Sequence, residues 1–205
     1  RPYLSITVTA HNVDHLAPVV RFALARDLLF NLNFYRENAC TFAQTALQAQ
    51  NQRLIAGMRQ AFDVIQAHLP QGNVMGGLVD RTSLNTPHNY PCGAGRNYLV
   101  IDQRGQIARC QMQIQHPVSD IWADDPLTDV REHPDGFQNI AAQEKQGCRD
   151  CPWQNWCAGG CPLLTYAASG RNDGPSPYCS VYKALLPQVL RLEGLRLLKW
   201  GTPVA

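Results

Sequence analysis

Seven of the eight cysteines of this 205-residue chain lie between positions 92 and 179, and their spacing limits the fold more than any other feature. Twelve residues separate Cys92 from Gly105 and four separate Gly105 from Cys110. After a gap comes Cys148-x2-Cys151-x5-Cys157-x3-Cys161, and after another gap Cys179. Thiols two, three and five residues apart on turns converge on one place, as metals and iron-sulfur clusters require and disulfides do not. A disulfide between Cys148 and Cys151 would close a very small loop, where cross-linking stabilises least. Gly105 fits the same picture, because a tight hairpin needs a residue free to take positive φ, and the turn returns Cys110 toward Cys92. Spacing alone does not separate zinc from iron-sulfur, since both use C-x2-C turns. Seven thiols suffice for one four-thiolate site and one three-thiolate site. The latter suits a cluster with an unusual or open iron better than a closed structural zinc.

The rest of the chain is ordinary by comparison. With 45% hydrophobic and 17% charged residues and a formal net charge of +2, it is neither a disordered tail nor a strongly basic nucleic-acid binder. No apolar run approaches the ~18 residues of a membrane span. Leu4 to Thr9 alternates as a strand, and Asn12 or Asp14 then caps a helix carrying Leu16, Val19, Val20, Ala23 and Leu24 and ending near Arg26-Asp27. Leu28 to Tyr35 reads as a second strand, parallel to the first through a right-handed crossover. Leu47, Leu54, Ile55, Met58, Phe62, Ile65 and Leu69 predict a helix over 41–69, stopped by Pro70-Gln71-Gly72. Tyr98–Ile101 and Ile107–Arg109 flank Asp102-Gln103-Arg104-Gly105 as a hairpin. The tail from Tyr178 is an amphipathic helix that Pro187 is expected to kink or divide.

The pattern C-x9-15-G-x4-C, C-x2-C-x5-C-x3-C, C resembles the signature of the SPASM domain, over roughly Cys92 to Cys179, and the run C-R-D-C-P-W-Q-N-W-C-A-G-G-C-P from Cys148 to Pro162 is similar to the family's. SPASM domains follow radical S-adenosylmethionine (SAM) domains in peptide- and protein-modifying enzymes. The resemblance implies two auxiliary 4Fe-4S clusters: a distal one on Cys148, Cys151, Cys157 and Cys179, and a proximal one on Cys92, Cys110 and Cys161. No cysteine in Thr82–Pro91 or Gly93–Arg109 offers the proximal cluster a fourth thiolate. His88 is a conceivable substitute, although a lone loop histidine is more often solvated. Cys40 reads as a small buried hydrophobe rather than a ligand.

By the same resemblance the fold is α+β. Residues 1–40 would be the end of a radical SAM partial barrel (strand-helix-strand), 41–80 a connecting helix and linker, and 81–205 a loop-rich SPASM domain with a β-hairpin and a C-terminal helix. Asn12, Tyr35 and Arg36, at strand ends, would then border a SAM site or be ordinary loop residues. The C-x3-C-x2-C motif of radical SAM enzymes is absent. The chain is therefore expected to be inactive alone, either a degenerate relative or, as favoured here, the C-terminal part of a longer enzyme, with SAM and a third 4Fe-4S cluster belonging to the full-length parent. Sulfatase-maturating relatives carry an Asp after the G-x4-C cysteine, where this chain has Gln111, so that specific activity is not implied. The implied partners are a peptide or protein substrate and a reducing donor such as a flavodoxin or ferredoxin, with no nucleic acid and no membrane. Reduced thiols and low-potential clusters imply a cytoplasmic setting. The alternative reading is a non-catalytic zinc-binding or electron-transfer module.

Among the other polar residues, Asp120, Asp124, Asp125, Asp129 and Glu132 around Trp122 read as caps and solvated short helices. Trp153 and Trp156 read as packing beside a cluster. Arg96, Arg104 and Arg109 read as a solvated hairpin edge with a capacity to steer anions.

Overall fold

The computed structural model describes residues 2–37, 45–74 and 76–201, with mixed helix and strand and no closed barrel. Strand β1 (Tyr3–Val8) pairs in parallel with β2 (Leu29–Phe34), from Tyr3 opposite Leu29 to Val8 opposite Phe34. The crossover contains a short 3-10 turn (Val13–His15) and helix α1 (Leu16–Leu24). Leu16, Val20 and Ala23, spaced at threes and fours, form its buried stripe. Asp27 closes the helix end with φ +51 before the chain turns into β2.

Helix α2 spans Asn51–Ala67, so it begins ten residues later than its apolar spacing predicts. Gln50 is extended (ψ 144), which ends the helical path before Asn51; residues 41–44, and Cys40 with them, lie outside the described residues. A close approach sets the packing of α2 on the crossover: a Cβ placed on Gly57 would lie 2.2 Å from the Val13 carbonyl oxygen.

The hairpin forms as β3 (Val100–Ile101) and β4 (Gln106–Ala108), and a third antiparallel strand, β5 (Ser119–Asp120), joins β4. At two residues, β5 has too little alternation to read from sequence. Helix α3 (Pro126–Glu132) follows, with the Asp125 side chain accepting from the Thr128 amide as its N-cap. Helices α4 (Gln154–Cys157), α5 (Pro162–Ser169) and α6 (Cys179–Trp200) complete the order.

Helix α6 is one element rather than two, with Pro187 inside it. Proline forfeits one ladder bond, but Leu185, Leu186, Val189 and Leu192 are buried on both sides of it, and the Gln188 side-chain amide donates to the Ala184 carbonyl at 3.2 Å. Burial thus holds the helix across the gap. Among the described residues no helix is long and apolar enough to cross a membrane.

One core runs from Val8, Leu32 and Phe34 of the strand pair through Leu54, Met58 and Ile65 of α2 to Val181, Tyr182 and Leu185 of α6. At its polar edge, Arg36 just beyond β2 meets Asp80, with side chains 8% and 0% exposed. The guanidinium donates to both carboxylate oxygens, at 2.7 and 2.5 Å. Asp80 also accepts from the Phe34 amide at 3.0 Å and from the Tyr182 hydroxyl at 3.1 Å. The end of β2, the loop after α2 and helix α6 therefore share one buried carboxylate.

Removing one partner of a buried pair leaves the other uncompensated. Asp80 has φ +45, a conformation Asn tolerates, so Asp80→Asn removes the charge and keeps the backbone. Urea unfolding of Asp80→Asn is expected to show a loss of about 3–5 kcal/mol.

Candidate functional site: two thiol-lined cavities

The seven cysteines gather around two cavities, four at one and three at the other. Cys148, Cys151, Cys157 and Cys179 line the first, with Trp153, Gln154, Gly159, Tyr182 and Lys183. Cys92, Cys110 and Cys161 line the second, with Arg36, Arg81, Tyr98, Gln111, Met112 and Phe137. The two differ in volume. About 10 Å³ remains between the groups of the first, whereas the second has a volume of about 290 Å³. Neither lining includes a carboxylate or an imidazole.

Local hydrogen bonding explains the four-thiol set. Successive turns run from the Cys148 amide to the Lys145 carbonyl (3.2 Å), from Cys151 to Cys148 (2.9 Å) and from Gln154 to Cys151 (3.0 Å), leading into α4 and Cys157. Cys179 enters from the first turn of α6, its amide donating to the Ser176 carbonyl at 2.9 Å. Beyond Cys157, Ala158, Gly159 and Gly160 have φ of +45, +72 and +69. Three successive left-handed residues reverse the chain tightly, which accounts for glycine at two of them. This turn delivers Cys157 to one cavity and Cys161 to the other.

The three-thiol set is held by different devices. Gly105 (φ +79) and the Asp102 carboxylate, which accepts from the amides of Arg104 and Gln106, form the hairpin turn that brings β4 back to Cys110. The Gly93 carbonyl accepts from the amides of Arg96, Asn97 and Tyr98, which curls the segment after Cys92. Buried Asn139 donates to the carbonyls of Cys92 and Ala94, both at 2.9 Å. Cys161 is the N-cap of α5, and Pro162 takes the first helical position, where the missing amide hydrogen costs nothing.

Burial pushes the thiols of Cys110, Cys148 and Cys179 up, and that of Cys157 to about 11, against backbone hydrogen bonding or nearby lysines that pull the other way. Metal-free, these groups resist ionisation; a bound metal or cluster would deprotonate them. A second feature suits an anionic guest: the buried ammonium of Lys145 has no hydrogen-bond partner among the described residues. The donor set is thus all sulfur, with Lys183, Arg36 and Arg81 in the linings and the Lys145 ammonium nearby, which fits an anionic iron-sulfur cluster.

The other polar candidates have local roles. His88 lines neither cavity, its ring Nδ1 lying 3.1 Å from the Thr86 carbonyl and its amide donating to Asn155. Asn12 folds back on Thr7 and Thr9, and Arg36 is engaged by Asp80; the Tyr35 hydroxyl is buried and has no hydrogen-bond partner among the described residues. Arg109 is not a solvated hairpin edge. It is 3% exposed and donates to the carbonyls of Val130, His133, Asp135 and Phe137, tying β4 to the end of α3 and the loop beyond. A cation inside the turn satisfies carbonyls that α3 leaves free at its C-terminus. Trp153 lines the four-thiol cavity, while Trp156 packs on the main core. Asn139, Lys145 and the Arg36–Asp80 pair carry no spacing signal and do not stand out in the sequence.

No family model matches the chain. An uncharacterized protein of Archaeoglobus fulgidus is 29% identical over 116 residues, covering 55% of this chain and 28% of that protein. The mycofactocin maturase MftC of Mycolicibacterium smegmatis is 30% identical over 91 residues, covering 43% of this chain and 23% of the maturase. The matched stretches thus span about a quarter of these relatives' lengths. Among solved structures, native anSMEcpe with bound AdoMet superposes with a TM-score of 0.60 at 14% identity, covering 93% of this chain and 56% of that one. The same protein with AdoMet and the Kp18Cys peptide gives 0.59, covering 57% of its chain. At that identity the likeness is one of fold.

The raised Cys157 value has a testable sign. Between the ordinary thiol value of 9.0 and about 11, the unfolded chain ionises first and binds fewer protons than the folded one. Stability from this group is full below pH 9 and is lost as pH rises toward about 11. Melting temperatures of metal-free protein are expected to fall across that window, and Cys157→Ala is expected to flatten the fall.

Proposed function

We propose that the chain is the auxiliary-cluster portion of a SPASM-type radical SAM enzyme that modifies a peptide or protein, a reading supported by its likeness to a maturase and to the fold of anSMEcpe. In this reading Cys148, Cys151, Cys157 and Cys179 hold a distal 4Fe-4S cluster, and Cys92, Cys110 and Cys161 a proximal one. SAM and a further cluster belong to the parent enzyme, because this sequence has no C-x3-C-x2-C. The observation that carries the reading is the partition of the seven thiols, four around one cavity and three around another. The names of similar proteins agree with it: one is a maturase, and another was solved with AdoMet and a peptide.

When bound, such clusters supply single-electron transfer, and an iron with fewer than four protein thiolates accepts an outside ligand. The chain's own groups divide these tasks. The narrow four-thiol site, with Trp153 and Tyr182 in its lining, suits electron transfer. The open three-thiol cavity suits a substrate segment, which Arg36, Arg81, Tyr98 and Gln111 would border; Tyr98 donates to the Gln111 side chain at 3.3 Å. Arg36 has one guanidinium edge on Asp80 and also reaches this cavity, so it would position the site rather than bind a ligand freely. A flavodoxin or ferredoxin in the cytoplasm would supply the electrons, and His88 would remain outside both sites.

A structural zinc module is the competing reading. Four-thiolate zinc sites use the same C-x2-C turns, but the second set offers three thiols with no carboxylate or imidazole in its lining, which does not complete a closed four-ligand zinc. Anaerobic purification with metal and sulfide assay separates the two. About eight irons with matching sulfide and a broad brown absorbance are expected, while colourless protein with one or two zincs per chain overturns the proposal. Cys151→Ala is expected to lose up to about four irons, and Cys40→Ala none.

A further inference from the structure

Lys145 is 1% exposed, among the largest fully buried side chains of the molecule, and its Nζ has no hydrogen-bond partner among the described residues. A buried ammonium without a counter-charge is costly, so proteins rarely keep one unless an anion is close. No carboxylate pairs with it among the described ion pairs.

The space around the ammonium shows where the charge acts. A Cβ built on Gly159 would lie 2.6 Å from Lys145 Cδ and 2.9 Å from Nζ, so the lysine lies across a backbone that only glycine leaves open, at φ +72. Gly159 stands two residues after Cys157, of the four-thiol set, and two before Cys161, of the three-thiol set. The ammonium therefore sits against the turn that joins the two sites. Burial pushes its pKa down, and the groups that oppose this come from both sets: Cys148 and Cys157 from one, Cys161 and Cys92 from the other.

We propose that Lys145 is the cationic counter-charge shared by the two thiolate sites, a positioning residue that raises the reduction potential of the clusters they hold. The inference rests on the cluster reading above. Net charge and hydrogen bonding to sulfur are the levers by which a protein sets a cluster's potential, and a fixed cation stabilises the more negative, reduced state. Because the charge stands at the shared turn, both couples are expected to respond.

The test is an anaerobic redox titration followed by electron paramagnetic resonance, with iron and sulfide assays on every sample. Wild-type protein, Lys145→Met and Lys145→Arg are compared. In Lys145→Met the ratio of reduced to oxidised cluster at a fixed solution potential is expected to fall about tenfold, about 59 mV for a one-electron couple. Lys145→Arg is expected to recover most of that shift. If Lys145→Met loses iron, retention of iron by Lys145→Arg supports the same assignment. Unchanged potentials in loaded Lys145→Met, or equal loss of iron from both variants, overturns it. Wild-type protein that holds no iron defeats the cluster reading itself, which keeps the two failures apart.

Discussion

The buried carboxylate of Asp80 is the interaction on which the arrangement of the molecule depends. It receives the Phe34 amide and the Arg36 guanidinium from the end of β2 and the Tyr182 hydroxyl from α6, two segments far apart in the chain from each other and from Asp80. Apolar packing brings β2 and α6 together but does not set their orientation, because it is non-directional. Fixed donors around one acceptor do. The Tyr178 hydroxyl adds a bond to the Tyr35 carbonyl at 3.2 Å, and the Tyr178 and Tyr182 rings pack on Phe34 with centroids 5.0 and 6.1 Å away. The start of α6, which carries Cys179, is thereby locked to the end of β2, which leads to Arg36 and the three-thiol cavity.

The thiol sites inherit their positions from this frame. One cavity draws on the first turn of α6 and on the turns before and within α4; the other draws on the hairpin, the Cys92 loop and the start of α5. Little regular structure is involved, so single hydrogen bonds carry much of the placement. Asn139 and Arg109 are the clearest cases, each satisfying carbonyls that no strand or helix partner reaches. Buried polar groups of this kind stabilise mainly because their loss would strand the partners they satisfy.

Much of this was legible in the sequence wherever a residue pattern had a period or a fixed spacing. The alternation of Leu4 to Thr9, the apolar stripe of α1, the Gly105 turn and the cysteine intervals all have a direct counterpart in the structure. Failures fell where one long-range contact outweighed the local pattern. Pro187 leaves α6 undivided because burial on both sides outweighs one missing bond. Arg109 reads as a surface cation until α3 folds over it, and Lys145 looks like any of the 18 basic residues until the Gly159 turn is built against it. The two-residue strand β5 has no period to detect.

The left-handed turn from Ala158 to Gly160 has a geometric consequence. Cys157 and Cys161 serve different cavities, yet only four peptide units join them, and four residues at full stretch reach no more than about 14 Å. The chain is a short tether, and the spacing between the two sites has a ceiling set by covalent geometry. Insertions elsewhere can lengthen loops at small entropic cost. An insertion here would uncouple the distance between the sites from the length of this turn, and with it the route between them.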